Sequence, residues 1–250
     1  MAPMTSPTEP RTPTLYHAAP RGAVAVYLGV GGIVAIVLGQ AALGIAGAPL
    51  VAVIGGGYVL AIGVLLAGTR GMPAGTLGVT RVSSRFIIAA VLVGAASWYP
   101  RIRLVEWLAI PETGKALAQA AIDPSLIASL ICVVALPAIA EELVFRGVIA
   151  RALAPRSRWL AVIVSAIIFA GYHVLPAQVV AVFPFGLALG YLAVRSDSIV
   201  PTMIAHAVNN LAGILVARGQ LVGVFEALER HPITSVIGAT AIVVGGLALA

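Results

Sequence analysis

Between Arg21 and Arg70 the chain carries no charged side chain at all. An apolar run of that length has few folding solutions, because in lipid only helices and closed barrels satisfy their own backbone polar groups. The run does not alternate as a barrel strand would, and it is long enough for two helices of about 20 residues. Gly44–Pro49 marks the turn between them. A third span covers about Phe86–Pro100, short unless the amphipathic piece Ile102–Ile110 extends it. Asp123-Pro124 reads as an N-cap with Pro at the first helical position, opening a fourth span that runs through Glu141 and Glu142. The uncharged stretch Trp159–Val194 divides near Pro176 into spans five and six. Asp197-Ser198 and Pro201 open a seventh that ends near Arg218, and His231-Pro232 precede an eighth, Ile233–Ala250. The expected fold is all-α, a polytopic transmembrane helical bundle of about eight spans. Residues 1–22, rich in Pro, Thr and Ala, read as a disordered cytosolic tail, and residues 23–250 as the transmembrane domain. The apolar stretch after Arg21 is too long for a secretory signal, so no cleavage is expected.

Composition narrows the function classes. Charged residues make up 10% of the chain, where a soluble domain carries about 25%. The net charge of +6 would suggest nucleic acid in a soluble protein. Here the arginines lie in short segments between spans, so membrane lipid is the expected surroundings and nucleic acid is not an expected partner. Arg11, Arg21, Arg70, Arg81, Arg85, Arg151, Arg156, Arg158 and Arg195 fall on one side, against Arg101, Arg103, Lys115, Arg218 and Arg230 on the other. That bias favours both termini in the cytosol. Only Lys115 of the 15 basic residues is lysine, which fits a high-GC bacterium and a multi-pass protein of its inner membrane. The single cysteine, Cys132, excludes a disulfide framework and a cysteine metal site.

Charge at membrane depth is costly and usually retained for function. Glu142 and Arg146 are i,i+4 neighbours with the acid first, the favourable orientation for an ion pair. Glu141 points about 100° away from Glu142 and is left to face a cavity. Pro137 removes the backbone hydrogen bond to the Val133 carbonyl just ahead of both acids. Phe169 and His173 share one helix face, as do His206 and Asn210, with Asn209 a second choice. Counted from the assumed cytosolic ends, His206 lies about 12 Å deep, Glu141 about 14 Å and His173 about 21 Å. One cavity in the cytosolic half or middle of the bilayer would then serve all three. A carboxylate and an imidazole can hold and deprotonate a water, while a second imidazole and a carboxamide can donate to an oxyanion. No serine or cysteine beside a base suggests an acyl-enzyme; Ser129 and Ser165 read as packing residues. Two imidazoles and a carboxylate can also bind zinc, but H-E-x-x-H is absent, so neither metal nor cofactor is expected.

The order Glu141-Glu142-x-x-x-Arg146, Phe169-x-x-x-His173, Phe183-x-x-Gly186-x-x-x-Gly190 and His206-x-x-x-Asn210 resembles the CAAX protease and bacteriocin-processing (Abi) family of intramembrane endopeptidases. The resemblance covers about 125–217, the expected catalytic core. It implies Glu141 as general base, His173 orienting the water, and His206 and Asn210 as the oxyanion hole. Glu142, Arg146 and Phe169 would support them. The implied substrate is a peptide or a lipidated protein C-terminus, cut at the cytosolic membrane face. Taken singly, the motifs have plainer readings: an interfacial helix end for the glutamates, a packing histidine near Pro176, and interhelical hydrogen bonding for His206 and Asn210. A proton- or solute-coupled transporter with a Glu/His relay, or a non-catalytic immunity or scaffold protein, are the alternative functions.

Overall fold

The computed structural model describes residues 19–110 and 125–250. The described residues form nine helices: α1 Gly22–Ile45, α2 Leu50–Gly68, α3 Ser84–Trp107, α4 Leu126–Leu153, α5 Arg158–Tyr172, α6 Pro176–Ser196, α7 Val200–Ala217, α8 Val222–Glu229 and α9 Pro232–Leu249. Seven are long and apolar enough to cross a membrane, and α5, at 15 residues, is a shorter apolar helix. The protein is a multi-pass membrane protein. Its breaks fall where Gly and Pro were read as turns: Gly47 takes φ +73 between α1 and α2, and Pro176 and Pro232 open α6 and α9.

The third span is the extended one: α3 continues through Pro100 to Trp107, taking in most of the amphipathic piece. Loss of one amide bond is tolerated there because the helix is held on both sides of the proline, with Tyr99 and Val105 buried. Arg101, counted above among the residues outside the spans, therefore sits within a helix. Most of the N-terminal tail and Asp123-Pro124 lie outside the described residues. In the described part of α4, Ser125 is the N-cap, its Oγ accepting from Ala128 N at 3.2 Å.

Small residues set how closely the spans approach, as is usual where lipid supplies no hydrophobic drive between helices. A Cβ on Gly57 of α2 would collide with the Ile36 carbonyl of α1, and one on Gly190 would lie 3.2 Å from Val162 Cα. Phe183, read in the same stripe, is instead at the exposed side of α6. Gly94 is the tightest junction between α3 and α7: an added Cβ would run into the Ala205 carbonyl and lie 2.9 Å from Val208 Cβ. Gly94→Val should therefore push α3 off α7 and cost about 1–3 kcal/mol by overpacking. A lower yield of monodisperse protein and a lower unfolding temperature in detergent would register it; wild-type behaviour would contradict this packing. Outward residues such as Tyr27, Ile127, Ile233 and Ile237 are apolar and exposed, a surface suited to lipid.

One end of the bundle is shut. The loop after α2 crosses the end where α1 begins, Gly78 O accepting from Ile199 N at 2.9 Å and Ser198 Oγ donating to Thr80 O at 2.9 Å. Arg151 and Asp197 form an ion pair at 2.9 Å beside it. Asp197 itself takes φ +50 at the end of α6, a left-handed conformation that Asp tolerates better than most residues. The cavity lies toward the opposite end of the described helices.

Candidate active site

The acids sit on the middle of α4, on an ordinary helical turn at Leu136–Glu141 flanked by wider i→i+5 stretches at Leu130–Ala135 and Glu142–Ala150. Such widening is frequent at functional sites. Part of its cause is local. Pro137 offers no amide to the Val133 carbonyl, and that carbonyl accepts instead from Asn210 Nδ2 of α7 at 3.3 Å. A neighbouring helix thus satisfies the group that the proline strands.

Glu142 is the anchor of the cluster. Fully buried, its Oε1 accepts from Arg146 Nη1 at 2.9 Å and lies 2.9 Å from His206 Nδ1. Arg146 Nη2 donates to Gly186 O at 3.0 Å, and its guanidinium stands 4.3 Å over the Phe169 ring. A buried pair of this kind is costly unless its remaining polar atoms are served; Arg146 Nη2 is, whereas Arg146 Nε and Glu142 Oε2 have no hydrogen-bond partner. The pair expected from the i,i+4 spacing is present, and it joins α4 to α5, α6 and α7.

Glu141 faces elsewhere. Its Oε1 accepts from the Tyr58 hydroxyl at 2.7 Å, and its buried Oε2 has no hydrogen-bond partner. His206 Nε2 is 3.7 Å from that oxygen, in contact but beyond hydrogen-bonding distance. Because a carboxylate only accepts, His206 Nδ1 carries a proton toward Glu142 and presents Nε2 to the cavity. His173 is fixed in the same sense: its Nδ1 is 2.9 Å from the Phe169 carbonyl, so Nδ1 is the donor and Nε2 is left over. The Phe169 ring separates the two imidazoles, edge-on to His173 at 5.2 Å and to His206 at 5.8 Å.

All of these groups border one cavity of about 820 Å³, with Glu141, His173, His206, Asn209 and Asn210 among its walls. Glu142 and Arg146 lie behind the wall. Asn210 Oδ1 lies 3.5 Å from Asn209 Nδ2, and the buried Asn209 Oδ1 is unpaired. Among the described residues, no three His, Cys, Asp or Glu side chains come together as a metal-holding group.

Two wall residues were not singled out by the sequence reading. Tyr58 sits in the middle of α2, away from the interfacial belt where tyrosines commonly anchor a span; that misplaced polarity was the available signal. Arg101 was counted among the basic residues between spans, and α3 carries it inside a helix instead. The cavity runs from Glu141 past Gln40, Ile54, Val105, Gln178 and Ala217, toward the end where α1 and α7 finish and α2 and α6 start.

Residues 123–212 match the family described as type II CAAX prenyl endopeptidase, Rce1-like. The matched segment holds both glutamates, Arg146, Phe169, both cavity histidines and both asparagines, so the resemblance carried by their order holds over this part of the chain. No curated protein and no solved structure matches the chain.

Proposed function

We propose that the protein is an intramembrane endopeptidase that hydrolyses a peptide bond with a water activated by Glu141. The observation that carries this reading is Glu141 Oε2: buried, unpartnered, and turned to His206 in a cavity large enough for a peptide segment. A matched family of membrane endopeptidases supports it.

The steps follow from the donors and acceptors in place. Water is held between the Glu141 carboxylate and His173 Nε2. Glu141 takes one of its protons as the oxygen adds to the scissile carbonyl carbon. The developing oxyanion is met by the Nδ2 hydrogen of Asn210 that Val133 does not use, and by His206 Nε2 in the doubly protonated form of the ring, the form in which both nitrogens donate. Glu141 then gives its proton to the nitrogen as the C–N bond breaks, leaving a carboxylic acid and an amine; the acid gives up its remaining proton to solvent on release. Tyr58 holds Glu141 in position through Oε1, so Oε2 does the proton transfer. Glu142 holds the His206 ring through Nδ1, and Arg146 holds Glu142. None of these steps uses a metal.

Asn210 has two roles in this account, and they separate experimentally. Asn210→Ala should lose the bond to Val133 O, which is part-buried at the cavity wall, a destabilisation of about 0.5–1.5 kcal/mol, as for a typical hydrogen bond. It should also lose about 10²–10³-fold in rate as an oxyanion donor is removed. Pro137→Ala in the same chain returns a backbone amide to Val133, so the double variant should regain stability and not rate. Unfolding temperature and cleavage of a panel of prenylated and unmodified apolar peptides give the two readouts. Recovery of both would assign Asn210 to the helix alone.

A further inference from the structure

His173 stands in the link between α5 and α6, which is only three residues long, His173 to Leu175. Both helices hold that link short. A Cβ on Gly186 of α6 would lie 3.4 Å from Ala166 Cα of α5, so the two helices run in close contact. Pro176 opens α6, and the residue before a proline is confined to extended backbone; Leu175 accordingly takes φ −72 and ψ 125. The reversal falls on Val174, which takes φ +63. Glycine enters that region freely and Asn or Asp with little cost, but a β-branched residue there is a genuine outlier. Among the described residues the other non-glycine positions with positive φ are Ala109 and Asp197, neither branched at Cβ. Packing does not account for the valine, because its side chain is 79% exposed. Glycine would suit the space and the backbone alike. Strain of this sort gathers at active sites, where it holds groups in place.

What the turn holds is His173. Its amide donates to Ala170 O at 3.1 Å, and its carbonyl accepts from Leu175 N at 2.6 Å. Its Nδ1 lies 2.9 Å from Phe169 O. Every polar atom of the residue except Nε2 is therefore engaged locally, and Nε2 is the atom that meets the water in the steps above. Val174 and Leu175 are both stiff, one through its branched side chain and the other through the proline after it. Glycine at 174 would populate either sign of φ and let the last turn of α5 rock.

We propose that Val174 is a positioning residue: its strained turn locks the His173 ring with Nε2 toward the cavity, at a cost in stability. The effect on rate rests on the endopeptidase reading above; the effect on the ring does not.

The test compares the full-length wild type, Val174→Gly and Val174→Ile in detergent, labelled with ¹⁵N-histidine. The nitrogen shifts report which ring nitrogen carries the proton, and a His173→Gln protein assigns the His173 signals. The wild type should show the Nδ1–H form alone, and Val174→Gly both tautomers in exchange. The unfolding temperature of Val174→Gly should match or exceed that of the wild type, because strain is relieved and almost no packing is lost. With the peptide panel above, its kcat should fall about 10–100-fold, as a misplaced group costs, while KM hardly moves. Val174→Ile should lie closer to the wild type in both readouts. A Val174→Gly protein that keeps a single tautomer, or that cleaves at the wild-type kcat, overturns the proposal. So does a fall in unfolding temperature alongside the rate, which would make Val174 an ordinary structural residue. A tautomer that depends on Val174 in a wild type that cleaves nothing keeps the turn and removes the endopeptidase reading. Cleavage indifferent to Val174→Gly does the reverse.

Discussion

Glu141→Gln should lower peptide hydrolysis by about 10²–10⁴-fold, the range that a positioned general base contributes, while the protein remains folded and abundant. The amide keeps the shape of the side chain, and its oxygen can still accept from Tyr58, whose hydroxyl reaches Glu141 Oε1 at 2.7 Å. What is lost is the second oxygen, the one with no hydrogen-bond partner. An NH₂ group there cannot take a proton from water. Because that oxygen is not bonded to another element, its loss leaves no other group stranded. Initial rates of cleavage and size-exclusion profiles of the two purified proteins check both halves. A transporter with a Glu/His relay would instead lose pH-driven uptake, and a scaffold would lose neither. A Glu141→Gln protein that cleaves at the wild-type rate would remove Glu141 from the chemistry.

Arg146→Leu should act on stability in the opposite proportion. It leaves Glu142 buried with one of its two donors gone, and frees the Gly186 carbonyl that Arg146 Nη2 serves at 3.0 Å. Breaking a buried pair by removing one partner costs about 3–5 kcal/mol, a large part of the 5–15 kcal/mol that typically separates folded from unfolded protein. Yield and unfolding temperature should fall sharply. Glu142→Gln added to Arg146→Leu removes the stranded charge and still offers His206 Nδ1 an amide oxygen. The double variant should therefore be more stable than Arg146→Leu alone, a non-additivity that a double-mutant cycle measures. Additive losses would mean that the two side chains, 2.9 Å apart, do not act as a pair.

Much of this arrangement was legible in the chain. The long uncharged runs settled the helical fold, and Gly47, Pro176 and Pro232 fell at breaks because turn and cap chemistry is local. The i,i+4 spacings put Glu142 with Arg146, and His206 with Asn210, on common faces. What stayed hidden was everything that depends on how helices meet. Tyr58 reaches Glu141 from α2, 83 residues away in the chain, and only the close contact of α2 with α4 makes that pairing. Asn210 was read as a donor to an oxyanion, yet its visible bond is to Val133 O; Pro137 flagged the stranded carbonyl but not the helix that would satisfy it. Pro100 left the end of the third span undecided, and packing on both sides of it carried α3 onward and took Arg101 to the cavity wall. Where the loop of residues 69–83 crosses the bundle was hidden too, because its sequence says little about where it folds.

Cleavage of the prenylated and unmodified apolar peptides by the detergent-purified wild-type protein, with and without a strong chelator, tests the central claim most directly. The account predicts a defined cut near the peptide C-terminus at the same rate in both conditions. Cleavage abolished by the chelator and restored by zinc would contradict it and make the cluster a metal site.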